Sequence, residues 1–191
     1  MSNDLEKLTK QIIELKKKKQ FEKIIQVLNK ALVVADSIDE KVYLLSSIAS
    51  EYQQQFNYKK AEQAINKCIE LQSDSPDGWL NLAEHFHYYD VDLNKALSVI
   101  KIAIEKAVAE GNFLRQSLGV QARIALEIGQ YGLFEKTLLW LIDYKPQKGS
   151  IDVSMEEDLV EKIPDGKIND SIIKSYKLAL GKGNKSGTGS H

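Results

Sequence analysis

The chain has 191 residues, 43% of them hydrophobic and 28% charged, which supplies apolar material for a sizeable core and excludes a globally disordered chain. Its 26 Lys plus Arg against 27 Asp plus Glu leave a formal charge of -1, so no overall field draws it to nucleic acid or to an anionic membrane. Cys68 is the single cysteine, which rules out an intramolecular disulfide and a cysteine-built zinc cluster, and no apolar run approaches the roughly 18 residues of a membrane span.

Strand signals are weak, and apolar residues recur at three- and four-residue steps, so the pattern predicts helices separated by short breaks. LEKLTKQIIELKKKKQ predicts a helix near 4–17 and FEKIIQVLNKALVVA a second near 21–35. The next pair is expected at 39–55 and 58–72, a third at 77–90 and 93–110, and a fourth at 113–129 and 131–143. None of these segments has an interior proline, which would remove a backbone donor and clash with the preceding turn. Pro76 sits where the third pair starts, a position that favours proline because the first helical N–H has no partner to lose.

After Pro146 the pattern changes. Ser154 and Glu157 form a capping box that predicts a short helix near 155–163, Pro164-Asp165-Gly166 interrupts it, and a last helix is expected over 167–180, burying Ile168, Ile172, Ile173 and Tyr176. The end, GKGNKSGTGSH, reads as a flexible tail with a tag remnant. The expected division is therefore 1–143 as four helix pairs, 144–180 as an acidic segment with capping helices, and 181–191 as tail. Charge is uneven along it: residues 1–20 carry a net +3 and residues 151–170 a net -5. The opening lacks a basic segment followed by an apolar one, so a cytoplasmic protein without membrane insertion is expected.

The helices repeat. Leu45, Ile48, Ala49 and Tyr52 recur 34 residues later as Trp79, Leu82, Ala83 and Phe86. Tyr58, Ala61, Ile65 and Cys68 recur 35 residues later as Leu93, Ala96, Ile100 and Ala103, one extra turn residue having entered. Small residues at 49, 61, 83 and 96 sit where helices would cross closely, with large residues beside them.

This order of large residue, Leu or Ile, small residue and aromatic on one helix, then small and large residues on the next, resembles the tetratricopeptide repeat (TPR) family. Leu8, Ile12, Leu15, Phe21, Ile24, Leu28 and Ala31 look like a degenerate first copy, and Leu118, Ala122, Ala125, Tyr131, Phe134, Leu138 and Leu141 like a later one. The resemblance covers about residues 5–143, with Ala49 and Ala83 where the family often has glycine. It implies an all-α fold: antiparallel helix-pair repeats in a short right-handed superhelix, with C-terminal capping helices. Ile151, Val153, Leu159, Val160 and Ile163 give the C-terminal segment apolar material to cap the last repeat; packing back into the groove as an autoinhibitory tail is the alternative.

In the resembled family the first helices of successive pairs line a groove for an extended peptide or a partner helix. Carried onto this chain, the implied partner-binding set is Tyr43, Ser46, Ser50, Gln53 and Gln54, then Asp77, Leu80, Glu84, His87 and Tyr88, then Gln116, Arg123 and Glu127. Some members hold a terminal carboxylate with a Lys-Asn clamp. Asn81 is present here, but Ser46, Ser50, Asp77 and Glu84 supply no basic cluster around it, which favours a basic or neutral peptide.

Other chemistry is weaker. His85 and His87 with Glu84 and Asp90 invite a metal reading, but residues two apart on a helix diverge. Glu84, His87 and Asp90 at three-residue steps lack an HExxH-type scaffold. No metal and no other cofactor is expected, and His85 is expected to be solvated. Trp79 with Leu82, Ala83 and Phe86 is read as packing. Cys68 occupies the small position matched by Ala103, a packing site rather than a nucleophile. Lys16-Lys17-Lys18-Lys19 is read as a solvated helix end meeting the negative pole of the helix dipole.

The expected function is non-enzymatic: an adaptor or scaffold binding another protein or peptide, with no nucleic acid. A regulatory or immunity-type protein blocking a macromolecular partner is the alternative, and a metal-dependent enzyme around His87 a weaker one. Oligomeric state is not legible.

Overall fold

The structure, a computed structural model, describes residues 3–145 and 158–183. The described residues form helices and turns without a strand: α1 (Asn3–Lys17), α2 (Phe21–Val34), α3 (Ile38–Gln54), α4 (Tyr58–Leu71), α5 (Pro76–Tyr88), α6 (Leu93–Glu110), α7 (Leu114–Glu127), α8 (Tyr131–Asp143) and α9 (Asp170–Gly183). Up to residue 143 each predicted helix is present, with ends within two residues of the expectation.

Local chemistry explains several boundaries. The Ser37 hydroxyl accepts from the Glu40 N–H at 3.1 Å and opens α3, while the Asp92 carboxylate accepts from the Lys95 N–H at 3.0 Å and opens α6. Pro76 occupies the first position of α5. Gly111, left-handed at φ 81°, closes α6.

The turn inside each pair is built one way. A single left-handed residue follows the first helix: Lys19 (φ 53°), Phe56 (φ 58°), Val91 (φ 53°) and Gly129 (φ 72°). The next N–H reaches back five residues, from Gln20 to Leu15 O, Asn57 to Tyr52 O and Gln130 to Ala125 O, satisfying carbonyls that the helix end leaves open. In the third pair the reach is six, from Asp92 to Phe86 O at 2.8 Å, and this wider turn holds the extra residue that shifts the repeat from 34 to 35.

A β-branched side chain is poorly suited to that backbone, and the left-handed region costs an L-residue ~1–2 kcal/mol. Val91 is 68% exposed and so has little packing to lose. Val91→Gly should therefore raise stability by about 0.5–1 kcal/mol, after allowance for the greater freedom of an unfolded glycine. Urea unfolding checks this, and a lowered midpoint would contradict it.

The described residues group into two compact units. The first runs to Asp74 and includes Tyr88–Asp90; the second takes Ser75–His87 and the chain from Val91 onward. In the first, α1 packs on α2, α2 on α3 and α3 on α4. Its core is Ile24 and Leu28 of α2, Leu44, Leu45, Ile48 and Ala49 of α3, and Ala61, Ala64, Ile65, Cys68 and Ile69 of α4. Cys68 is a packing residue as expected: its thiol lies 3.6 Å from Ser46 Oγ and 3.7 Å from Val42 O, both on α3.

In the second unit α6 packs on α7, α7 on α8 and α8 on α9. The buried residues include the repeat positions Leu82, Ala83, Phe86, Ala96, Ile100 and Ala103, with Leu118, Ala122, Ala125, Phe134 and Leu138 of the later copy. Trp79 is half-buried, so the innermost packing falls to its companions.

The expected capping box at Ser154 and Glu157, with Ile151 and Val153, lies outside the described residues. Of the short helix expected near 155–163, the described part is a turn at Asp158 followed by a single 3-10 turn, Val160–Lys162. The last helix begins at Asp170, three residues later than expected, and continues to Gly183. Leu159, Ile168 and Tyr176 are buried, while Ile172 and Ile173 are half-buried.

Candidate functional site

On a helix of 3.6 residues per turn, positions i, i+4, i+7 and i+11 make one stripe. In α5 the buried positions Pro76, Leu80, Ala83 and His87 form one such stripe, and Gly78, Leu82 and His85 another. Asp77, Asn81, Glu84 and Tyr88 form the open one. Displaced by 34 residues, the open positions of α3 include Tyr43, Ser50 and Gln54, with Ser46 and Ser47 half-buried between them. The repeat register therefore carries the open face as well as the packed one.

Two readings of the histidines are corrected by this. His85, expected to be solvated, is fully buried and lies edge-on to Phe86 at 5.6 Å between ring centroids. It shares a stripe with Leu82 and Gly78, and α5 is covered on more than the one face that repeat spacing marks. His87 is buried too, with Nε2 2.9 Å from Glu127 Oε2 on α7. Leu80 and Gln116 are likewise buried, at 6% and 8% exposure, so these three members of the implied binding set supply interior rather than accessible surface. Among the described residues no three His, Cys, Asp or Glu side chains group as a metal site, and no helix is long and apolar enough to cross a membrane.

The α7 members are engaged within the second unit. Glu127 meets His87, and Arg123 donates from Nη1 and Nη2 to the two oxygens of Asp158 at 2.8 and 3.0 Å. That bidentate clasp, joined by Lys162 at 2.8 Å, holds the Asp158 carboxyl well below the usual carboxylate range. It ties the C-terminal segment to α7.

The open stripe of α5 is acidic and uncompensated. Asn81 Nδ2 donates to Asp77 Oδ1 at 3.4 Å, while Glu84 has neither a hydrogen bond nor a cation partner among the described residues. Burial raises the Asp77 carboxyl above its ordinary value, and Glu110 at the end of α6 adds to it. Burial likewise raises Glu84, with Asp77 adding its charge. Asn81 lies on this stripe one turn after Asp77 and is not in the implied binding set.

In the first unit, Tyr43, Ser46 and Ser50 of α3 and Ile12, Ile13 and Lys16 of α1 line a cavity of about 430 Å³. Tyr43 and Ile13 are 48% and 47% exposed at its edge. Gln54 donates to Ser50 Oγ at 3.3 Å, and Gln53 is half-buried; neither lines the cavity. Glu51, which no sequence signal singled out, does line it: the residue is 3% exposed, and Lys16 Nζ sits 2.7 Å from Oε1. Lys16 thus leaves the solvated lysine run to meet a carboxylate 35 residues away, whereas Lys17 pairs locally with Glu14 at 2.8 Å.

Solved structures share this architecture. The chain is similar to BtubC (BKLC) from P. vanneervenii, with a TM-score of 0.67 and 12% identity over 98% of this chain and 82% of that one. It is similar to a Podosopora anserina putative kinesin light chain with nearly identical TPR-like repeats, with a TM-score of 0.61 and 10% identity over 95% and 97%. It is also similar to MamA, with a TM-score of 0.60 and 17% identity over 92% and 96%. No protein-family model matches the sequence, and no curated protein matches it. The fold is that of TPR-like helix-pair repeats, as the repeat register implied.

Proposed function

We propose that this chain is a non-catalytic interaction module that binds a basic polypeptide segment through the acidic stripe of α5. TPR-like folds serve generally as protein-interaction scaffolds, which supports the class. The observation that carries the finer reading is the Asp77–Asn81–Glu84 stripe of α5, where two half-buried carboxylates face another acid and meet no cation among the described residues. Such groups lie above their ordinary energy until a lysine or arginine arrives. The arriving charge gains more there than at a solvated acid, because the surroundings screen it less. The residues stand on helices, so recognition needs little ordering of the binding face.

The test is affinity capture from native extract, followed by titration with captured peptides, comparing the native chain with Asp77→Asn/Glu84→Gln. Removing charges that repel one another should leave melting unchanged or slightly raised, while affinity for basic segments falls about tenfold at moderate salt. Affinity should also weaken as pH drops from neutral through the raised range of these carboxyls, since their protonated forms do not attract cations. Equal capture by both proteins at every salt concentration would remove this face from the function.

A further inference from the structure

The cavity of the first unit holds a carboxylate that is half matched. Glu51 is buried to 3% exposure, its Oε1 takes the Lys16 ammonium at 2.7 Å, and its Oε2 is buried with no hydrogen-bond partner. An unmatched buried carboxylate oxygen has given up its hydration without a hydrogen bond in return, which is unfavourable. Lysine leaves it so because an ammonium on a flexible stem meets one oxygen as a point charge. The Lys16 side chain is 44% exposed, so it can swing into water without disturbing packing. A guanidinium has the geometry that the ammonium lacks, two parallel N–H groups spaced for both oxygens of one carboxylate.

We propose that this cavity is a receptor for one arginine side chain of the polypeptide partner, its guanidinium displacing Lys16 and forking onto both oxygens of Glu51. The surroundings fit the rest of the residue. Ile12 and Ile13 offer apolar wall for the arginine methylenes, and Tyr43, half-exposed, and Ser50 also line the cavity. The volume of about 430 Å³ exceeds what one side chain fills, leaving room for its neighbours along the peptide. Lys16 acts as a resident cation at Oε1 until a better-matched one replaces it. This assignment rests on the polypeptide-binding reading above, but on different residues in a different unit.

The test uses the full chain, amide NMR, and N-acetyl-Leu-Arg-Leu-amide as probe, with lysine or neutral citrulline replacing arginine. The arginine probe should shift amides around Ile12–Lys16 and Ser46–Glu51 and bind about tenfold more tightly than the citrulline probe, with lysine weaker than arginine. Glu51→Gln should abolish that preference. Lys16→Met should strengthen arginine binding by about tenfold, because no resident cation has to leave; a purely structural ion pair predicts no gain. Equal binding of arginine and citrulline, no shift with any probe, or unchanged affinity in Lys16→Met overturns the assignment. If Lys16→Met or Glu51→Gln fails to fold, the arginine-to-citrulline contrast in the native chain still decides. Asp77→Asn/Glu84→Gln should retain the arginine preference. A lost preference with polypeptide capture through α5 intact would therefore remove this cavity alone.

Discussion

Phe134→Ala is expected to lower the stability of the protein by about 3–5 kcal/mol, a large share of the roughly 5–15 kcal/mol that holds a typical domain folded. Phe134 lies in the first turn of α8 with none of its surface exposed, in the second unit, where Leu118, Ile124 and Leu138 are equally buried. Truncation removes the transfer free energy of a whole ring and leaves a cavity that helices fixed by their neighbours cannot close. The control lies on the same helix. Trp140 is larger, yet 44% exposed, and Trp140→Ala should cost well under half as much. Urea unfolding followed by circular dichroism measures both, and comparable losses at the two positions would show that α8 is packed the other way round.

The second large effect has the opposite origin. Ala83→Leu adds volume where α5 has none to spare, since Ala83 is fully buried and occupies the small-residue position of the repeat. A cost of about 1–3 kcal/mol follows from off-rotamer side chains and helix displacement. Leucine is a good helix former, so propensity cannot account for such a loss. The same substitution at Ala109, exposed near the end of α6, should change stability by about 0.5 kcal/mol or less. Ala49→Leu, the counterpart 34 residues earlier, should repeat the loss in the first unit, where Ala49 is 3% exposed. Tolerance of leucine at both alanines would refute close crossing at the small positions.

Both effects fall at positions that apolar spacing had already picked out. Helix ends were also legible, because caps, prolines and turn residues act within a few residues of the boundary they set. The third pair's extra turn residue was visible as a change of displacement, and the structure shows it as a backbone hydrogen bond that spans six residues instead of five. The left-handed backbone at Lys19, Phe56 and Val91 was less visible, since only Gly129 of the four turns carries the usual signal.

The open stripe of α5 was half legible. The implied set included Asp77, Glu84 and Tyr88 of that stripe, but it also took Leu80 and His87, which are buried, and left out Asn81, which lies on the same stripe. Periodicity identifies the stripe of a helix that meets one neighbour. When a helix is covered on a second side, the additional buried positions can be polar, as His85 and His87 are, and only the neighbours reveal it. Placing Arg123 on a partner-binding surface failed to foresee Asp158 for the same reason: the clasp joins residues 35 apart whose meeting depends on where the C-terminal segment packs.

By itself, then, the sequence determined the helices, their pairing and the repeat register with its small and large core positions, because hydrogen bonding, capping and apolar periodicity are properties of neighbouring residues. Only the tertiary structure decided which polar groups lost water and which found partners. Glu51 reads as one more surface acid until α1 brings Lys16 to one of its oxygens, and burial then leaves the other unmatched. Desolvation and ion pairing depend on distance in space, and that distance exists only once the helices have packed.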